Sequence, residues 1–243
     1  MSDGFKEFSG KIRCLSGATL KLIAIISMLA DHVNKALIYP YLKSNEGFLA
    51  TLSNIFDIIG RIAFPLFCFM IIEGFFKTRN RKKYMFNLLI FGVISEVPFD
   101  MFATGSFYNA NWQNVMFTLA LVLGTVWIID TLKNKMESKP KALWYIVSIL
   151  IVLAMCIVAM MLSIDYEHHA VLMGYFFYLF YGNPLLQIPL GYISVYDQPW
   201  SLLGFGLILT YNGQRGKQNK MLNYWFYPVH LLILGILRLS FGL

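Results

Sequence analysis

The chain has 243 residues, of which 58% are hydrophobic and 14% charged, with a mean hydropathy of +0.60. Soluble domains run near 45–50% apolar and about 25% charged, so the composition argues against an ordinary soluble domain and rules out intrinsic disorder. The net charge of +7 and pI near 9.2 suit either nucleic-acid binding or membrane topology, and the placement of the charges decides between them. Cys14, Cys68 and Cys156 are widely spaced and contain no CxxC pair, so they form neither a disulfide framework nor a zinc site.

A helix needs roughly 20 mainly apolar residues to cross a ~30 Å hydrocarbon core. Runs of that kind are predicted over Thr19–Tyr39, stopping at Pro40, and over Leu52–Phe76, closed by Lys77, Arg79, Arg81, Lys82 and Lys83. Others follow over Tyr84–Thr104, Asn114–Thr131, Ala142–Ser163 and Met221–Ser240. Asp31 and His32 interrupt the first run and no A-x-A site follows it, so it reads as a retained helix. Residues 1–18 read as a cytoplasmic or interfacial tail and 19–243 as a single transmembrane domain. The stretch Ala170–Tyr211 is apolar but broken by Asn183-Pro184, Pro189, Gly191 and Asp197–Pro199.

Charge parity orders that stretch. Segments 1–21, 77–83, 131–141 and 213–220 hold 16 of the 20 Lys and Arg residues, and the loops after the first and third spans hold Lys43 alone. Lys and Arg concentrate on cytoplasmic loops. The N-terminus is therefore cytoplasmic, the fifth span ends outside near Asp165, and an odd number of crossings precedes Arg215, Lys217 and Lys220. Three short crossings fit, over Ala170–Tyr181, Leu185–Val195 and Trp200–Tyr211. The expected fold is an all-α polytopic transmembrane bundle of about nine spans, with seven plus a re-entrant segment as the alternative.

Ionisable groups cost about 2.5–3.5 kcal/mol each at the centre of a membrane helix and normally face a bundle interior or a wet cavity. The spans nevertheless carry Asp31, His32, Asn34, Lys35, Asp57, Arg61, Glu73, Glu96, Asp100, Asn114 and His230. At 1.5 Å per residue, His32 and Arg61 lie about 12–13 Å below the outer surface, Glu96 about 12 Å and Asp100 about 6 Å. A wet cavity open to the outside accounts for all of them; His230 lies near mid-membrane and Glu73 near the inner end. Ser27, Asp31, Asn34 and Lys35 share one helical face, while His32 points 100° away from Asp31. Asp57/Arg61 and Glu96/Asp100 are i, i+4 pairs, the second bringing two carboxylates together. Pro65, Pro98 and Pro228 leave the carbonyls of Arg61, Ile94 and Tyr224 without their donors, so three helices are expected to kink or open beside these groups.

Each feature has a plainer reading. His32 and His230 serve equally as interhelical hydrogen-bonding groups, Asp57/Arg61 as an intrahelical ion pair, and Glu96 and Asp100 as partners for Arg61 or for backbone donors at the Pro98 break. Asp165, Glu167, His168 and His169 have the composition of a metal site, yet adjacent histidines in an outer loop are more often solvated, and no metal is expected. The basic loops are explained by topology, so no nucleic-acid partner is expected. No GxSxG, HExxH, P-loop or dinucleotide motif is present.

The string Leu20-Lys21-Leu22-Ile23-Ala24-Ile25-Ile26-Ser27-Met28-Leu29-Ala30-Asp31-His32 resembles the opening of TraX proteins, the family of the F-pilin acetylase. So do Ile59-Gly60-Arg61-Ile62-Ala63-Phe64-Pro65-Leu66-Phe67, running on to Glu73-Gly74-Phe75, and Ser95-Glu96-Val97-Pro98-Phe99-Asp100. Asn114-Val115-Met116-Phe117-Thr118-Leu119, Asp165-Tyr166, Tyr211-Asn212-Gly213 and Phe226-Tyr227-Pro228-Val229-His230-Leu231-Leu232 continue the match in order over about residues 19–235. The chain departs after Asp165-Tyr166, where Glu167-His168-His169 replaces the family's usual glycine, so substrate contact in the outer loop differs.

The resemblance implies an integral membrane acyltransferase of a bacterial cytoplasmic membrane, linked to pilin acetylation and conjugation. It would move an acetyl group from cytoplasmic acetyl-CoA to an extracytoplasmic amine or hydroxyl of a peptide or glycan. His32 is then the general base or an acyl-carrying nucleophile, and Arg61 holds the oxyanion or a donor phosphate. Asp31 and Asp100 orient and balance these groups, and Glu96 is the alternative base. Asn114, Lys35, Glu73, Asp165 and His230 are candidate substrate- or donor-binding residues. The expected partners are the acyl-CoA donor, the acceptor and the lipid bilayer. A small ion-coupled transporter and a non-enzymatic assembly factor whose polar residues only join helices are the alternative functions.

Overall fold

The computed structural model describes residues 13–42 and 47–242. Most of the tail expected over 1–18, together with Lys43, lies outside the described residues. Helix α1 (Gly17–Val33) starts where the Ser16 side chain accepts the Thr19 N–H at 3.2 Å, a normal N-cap. It widens into a π-turn over Asn34–Ile38 and tightens into a 3-10 turn over Tyr39–Leu42. Pro40 cannot donate to the carbonyl four residues back, so the α register fails there.

The second span runs as α2 (Phe48–Gly60) and α3 (Ala63–Lys77), separated at Arg61-Ile62. Helix α4 (Arg81–Thr104) begins on the Asn80 side chain and ends at Gly105, whose φ of 68° is the left-handed geometry that closes a helix. Helix α5 (Val115–Lys135) is capped by Asn114, and α6 (Lys141–Met161) follows Pro140. Three short helices come next: α7 (Glu167–Leu179), α8 (Pro184–Ile193), and α9 (Leu202–Leu209), which a 3-10 turn over Pro199–Ser201 leads into. Helix α10 (Lys220–Phe241) closes the chain on an Asn219 cap.

Among the described residues six helical stretches are long and apolar enough to cross a membrane: Gly17–Leu42, Phe48–Lys77, Arg81–Thr104, Val115–Lys135, Lys141–Met161 and Met221–Phe241. The chain is a multi-pass, all-α membrane protein. On α6, Ile146, Leu150, Leu153 and Ile157 are more than half exposed, as side chains facing lipid are. Helix α10 packs most extensively along α4, and Arg238 near its end donates to the carbonyls of Phe102 and Ala103 at 2.5 and 2.8 Å, satisfying the last turn of α4.

The bundle has two polar ends. At one, the Gln113 N–H donates to Ser163 O and the Asp165 N–H to Gln113 O. At the other, Glu73 gathers Lys77, Tyr181 and Tyr211. The short helices alternate between them: α7 leads from Asp165 to Tyr181, α8 returns to Ser194, whose carbonyl meets the His169 ring, and α9 leads back to Tyr211. Among the described residues the chain thus passes between the ends nine times, but α7, α8 and α9 rise only about 20, 15 and 12 Å. Of the three prolines expected to kink or open a helix, one stands at an opening. Only Pro65 accompanies a break, whereas α4 and α10 continue through Pro98 and Pro228.

Candidate active site

The polar face of α1 packs on the backbone of α2. The Ser27 hydroxyl donates to the carbonyls of Ile59 at 2.5 Å and Gly60 at 3.4 Å, and the Asn34 amide donates to Ser53 O at 3.1 Å. Ser27 thereby gives the Gly60 carbonyl a donor and adds a second one to the Ile59 carbonyl, which already accepts the Ile62 N–H at 3.1 Å. A Cβ on Gly60 would lie 2.5 Å from the Asp31 Cβ, so only glycine lets the two backbones approach this closely. Asp31 pairs with Lys35 at 2.7 Å, and Arg61, at the break, pairs with Asp57 at 2.9 Å. Asp31 and Tyr166 also lie within electrostatic reach of the Arg61 guanidinium.

His32 turns away from that face to α10. Its Nδ1 lies 2.8 Å from Nε2 of His230, whose own Nδ1 lies 2.7 Å from the Phe226 carbonyl. The Phe102 ring covers His32 at 4.7 Å, while Phe226 stacks on His230 at 4.7 Å. His32 is half-buried and His230 is buried. The His32 Nε2 has no hydrogen-bond partner among the described residues.

The two carboxylates of α4 do not bond to each other or to Arg61. Glu96 accepts from the Asn114 amide, which also donates to Gly92 O at 2.9 Å, while the Asn114 oxygen caps Met116 N at 3.0 Å. Asp100 accepts the Asn109 N–H at 2.8 Å. Each keeps one buried oxygen without a partner, Oε1 of Glu96 and Oδ1 of Asp100. Asn114 is committed to holding α5 on α4 and has no amide hydrogen directed at a substrate.

Asp165 sits in a loop pinned to the start of α5, where its carbonyl accepts from Thr118 at 2.5 Å. Burial pushes its carboxyl up to about 6, with Asp31 adding to the shift and Lys35, the Tyr166 N–H and the Trp112 side chain opposing it. Tyr166 has φ of 61° and stacks on Phe64 with ring centres 3.5 Å apart. Around this loop lies a cavity of about 410 Å³ whose walls include Asn111, Trp112, Asp165, Tyr166, Glu167 and His169. Tyr227 lies outside the cavity lining: its hydroxyl accepts from the Val115 backbone within electrostatic reach of Asp165 and Tyr166, and its ring centre lies 5.7 Å from that of His230. His169 bonds Ser194 O at 2.6 Å and His168 lies 3.8 Å from Glu167. Among the described residues no three His, Cys, Asp or Glu side chains converge as metal ligands.

Glu73 belongs to the opposite end. It accepts from Tyr181 at 2.7 Å and Tyr211 at 2.6 Å and pairs with Lys77 at 2.5 Å, while Arg81, Asp130 and Tyr178 form a second network nearby. Twelve residues separate Glu73 from Arg61, about 18 Å along a helix, so Glu73 does not join the His32 centre. Sequence reasoning gave no role to Tyr166, Tyr227 or Arg238. Tyr227 precedes His230 by three residues and so shares its face; Arg238, a lone cation in the last turn of an apolar helix, signals carbonyl capping.

The sequence profile of the family described as TraX protein matches residues 16–238. A probable fimbrial assembly protein FimC of serogroup H1 from Dichelobacter nodosus is 38% identical over 115 residues, covering 44% of this chain and 44% of that protein. The aligned part is thus under half the length of that relative. No solved structure matches.

Proposed function

Because the chain belongs to the TraX family, we propose that it is an integral membrane acyltransferase. It moves an acetyl group from cytoplasmic acetyl-CoA to an amine or hydroxyl on the far side of the membrane. The observation that carries this reading is His32: a half-buried imidazole with one nitrogen anchored to His230 and the other without a partner. An imidazole with an open lone pair inside a bundle suits a general base or an acyl carrier.

Arg61, at the helix break beside Asp31 and Tyr166, supplies positive charge for a developing oxyanion or a donor phosphate. Lys35, close enough to His32 to act on it electrostatically, adds a second cation. The cavity around Asp165 and Trp112 receives the acceptor. An apolar groove of about 300 Å³ along α5 shares Ile164 with that cavity, so an acceptor anchored in the bilayer reaches it from the side. The acceptor is a peptide amine or a glycan hydroxyl, by kinship with a family named for pilin acetylation and with a relative named for fimbrial assembly. The basic loops at the Glu73 end face the cytoplasm and meet the phosphates of the donor.

The decisive experiment incubates purified protein in nanodiscs with radiolabelled acetyl-CoA and candidate acceptors and follows coenzyme A release and label transfer. Transfer that disappears in His32→Ala, with an unchanged melting temperature, supports the reading. Proton-coupled solute uptake in liposomes without any acyl transfer overturns it in favour of a transporter. The relative's name favours a second reading, an assembly factor without chemistry; pilus assembly that survives His32→Ala in cells would favour it over the enzyme.

A further inference from the structure

The two histidines are coplanar as well as hydrogen-bonded. Their ring planes differ by 5° and their centres lie 5.1 Å apart. Parallel rings lying face over face cannot bring two ring atoms closer than van der Waals contact near ~3.5 Å, whereas these nitrogens are 2.8 Å apart. A five-membered ring with bonds near 1.35 Å has a radius of about 1.15 Å. Two such radii and the 2.8 Å bond reproduce the observed separation only if the rings meet edge to edge. The bond therefore runs along the in-plane lone pair of one nitrogen and the N–H of the other, the strongest orientation available.

Direction follows from the anchor. A backbone carbonyl only accepts, so the proton at the 2.7 Å contact with Phe226 O is on Nδ1 of His230. In neutral His230, Nε2 then carries the lone pair and accepts. The 2.8 Å contact requires Nδ1 of His32 to be the donor, which leaves Nε2 of His32 as the unprotonated nitrogen. Every link is set by the one before it, beginning from main chain that cannot change its role.

The geometry points to His230 as the positioning residue that fixes the tautomer of His32, making Nε2 of His32 the atom that takes up the acceptor's proton. This rests on the acyltransferase reading. In that reaction the acceptor's nitrogen or oxygen attacks the thioester carbonyl while Nε2 removes its proton. The new N–C or O–C bond forms, the C–S bond breaks, and the departing thiolate takes the proton back from Nε2. While the proton resides on His32, the bond to His230 becomes charge-assisted and stronger, so the pair favours the charged intermediate over the resting state.

Nitrogen-15 NMR of histidine-labelled protein in nanodiscs reads the tautomers without any turnover. The expected result is a proton on Nδ1 in both His32 and His230, with scalar coupling between Nδ1 of His32 and Nε2 of His230. A proton on Nε2 of His32, or no coupling, overturns the proposal. His230→Leu is expected to lower kcat about 10- to 100-fold, the usual effect of losing a partner that orients a reacting imidazole, with KM little changed. His230→Gln, whose amide oxygen can stand where Nε2 accepted, should restore most of the rate. Unchanged kcat in a folded His230→Leu protein overturns the proposal, as does equal loss in both variants when both melt like the wild type. Absence of acyl transfer in the wild type refutes the enzyme reading instead, and the NMR result still decides the tautomer.

Discussion

Burial holds the Asp165 carboxyl at about 6, well above its ordinary 3.8, and the sign of the consequence follows. Between these values the folded chain keeps a proton that the unfolded chain has released. Stability is therefore greatest below pH 4, falls as the pH rises toward 6, and is flat in this respect above it. Asp165→Asn should flatten that part of the curve, so the melting temperature of the variant gains on the wild type as the pH is raised from 4 to 7. Thermal melts at half-unit intervals check this, and parallel curves for the two proteins would refute it. At this scale the sequence was informative about identity and silent about pairing. His32, Asp165 and His230 stand out as ionisable groups in apolar surroundings, but 198 positions separate the two histidines that meet, and helical periodicity carries no information about contact between distant helices. Glu96 and Asp100 show the opposite failure. Their i, i+4 spacing is legible, yet each is bound by an outside group, Asn114 or the Asn109 N–H, that local spacing does not reveal.

The break between α2 and α3 shows how an element departs from its local signals. Pro65 removes one donor from the helix, as Pro98 and Pro228 do in theirs, but only here does the helix separate. Gly60 weakens the same turn, and there the Ser27 hydroxyl donates to the carbonyls of Ile59 and Gly60. Elsewhere α4 and α10 pack along each other and stay continuous through their prolines. The break thus coincides with a donor from a neighbouring helix, which no single helix sequence discloses. Gly60→Ala tests this. Its methyl group would meet Asp31 at 2.5–2.9 Å, so α1 and α2 must separate, the Ser27 bonds stretch, and stability should fall by about 1–3 kcal/mol, the usual cost of overpacking. Gly206→Ala in α9 is the control: nothing lies within 4 Å of the added carbon, and relief of glycine's entropy should leave stability unchanged or raised by about 0.5–1 kcal/mol. Chemical denaturation in mild detergent distinguishes the two, and equal effects would refute the contact argument.

For the whole molecule, charge and connectivity constrain each other. The loops joining α3 to α4, α5 to α6 and α9 to α10 carry Lys77 through Lys83, Lys133 through Lys141, and Arg215 and Lys217, and all lie at the Glu73 end. The described loops at the His32 end, 105–114, 162–166 and 194–198, contain no Lys or Arg. That asymmetry was readable from the sequence because translocation acts on loop charge one loop at a time. The lengths of α7, α8 and α9 were less so, since elements of about 12–20 Å cannot span a ~30 Å core unaided and depend on neighbours or a locally thinned bilayer. A thin sector is useful to an enzyme whose donor and acceptor approach from opposite sides. Native cysteines make the orientation measurable. Cys14 is exposed and its neighbour Leu15 pairs with Tyr211 at the Glu73 end, while Cys68 and Cys156 are buried. A membrane-impermeant maleimide applied to intact cells should leave the wild-type chain unlabelled and label it at Cys14 once the cells are opened. Asn111→Cys, in the exposed loop beside the Asp165 cavity, should label in intact cells. Reversed labelling would turn the molecule over, placing His32 on the cytoplasmic side and removing the separation of donor from acceptor on which the proposed transfer rests.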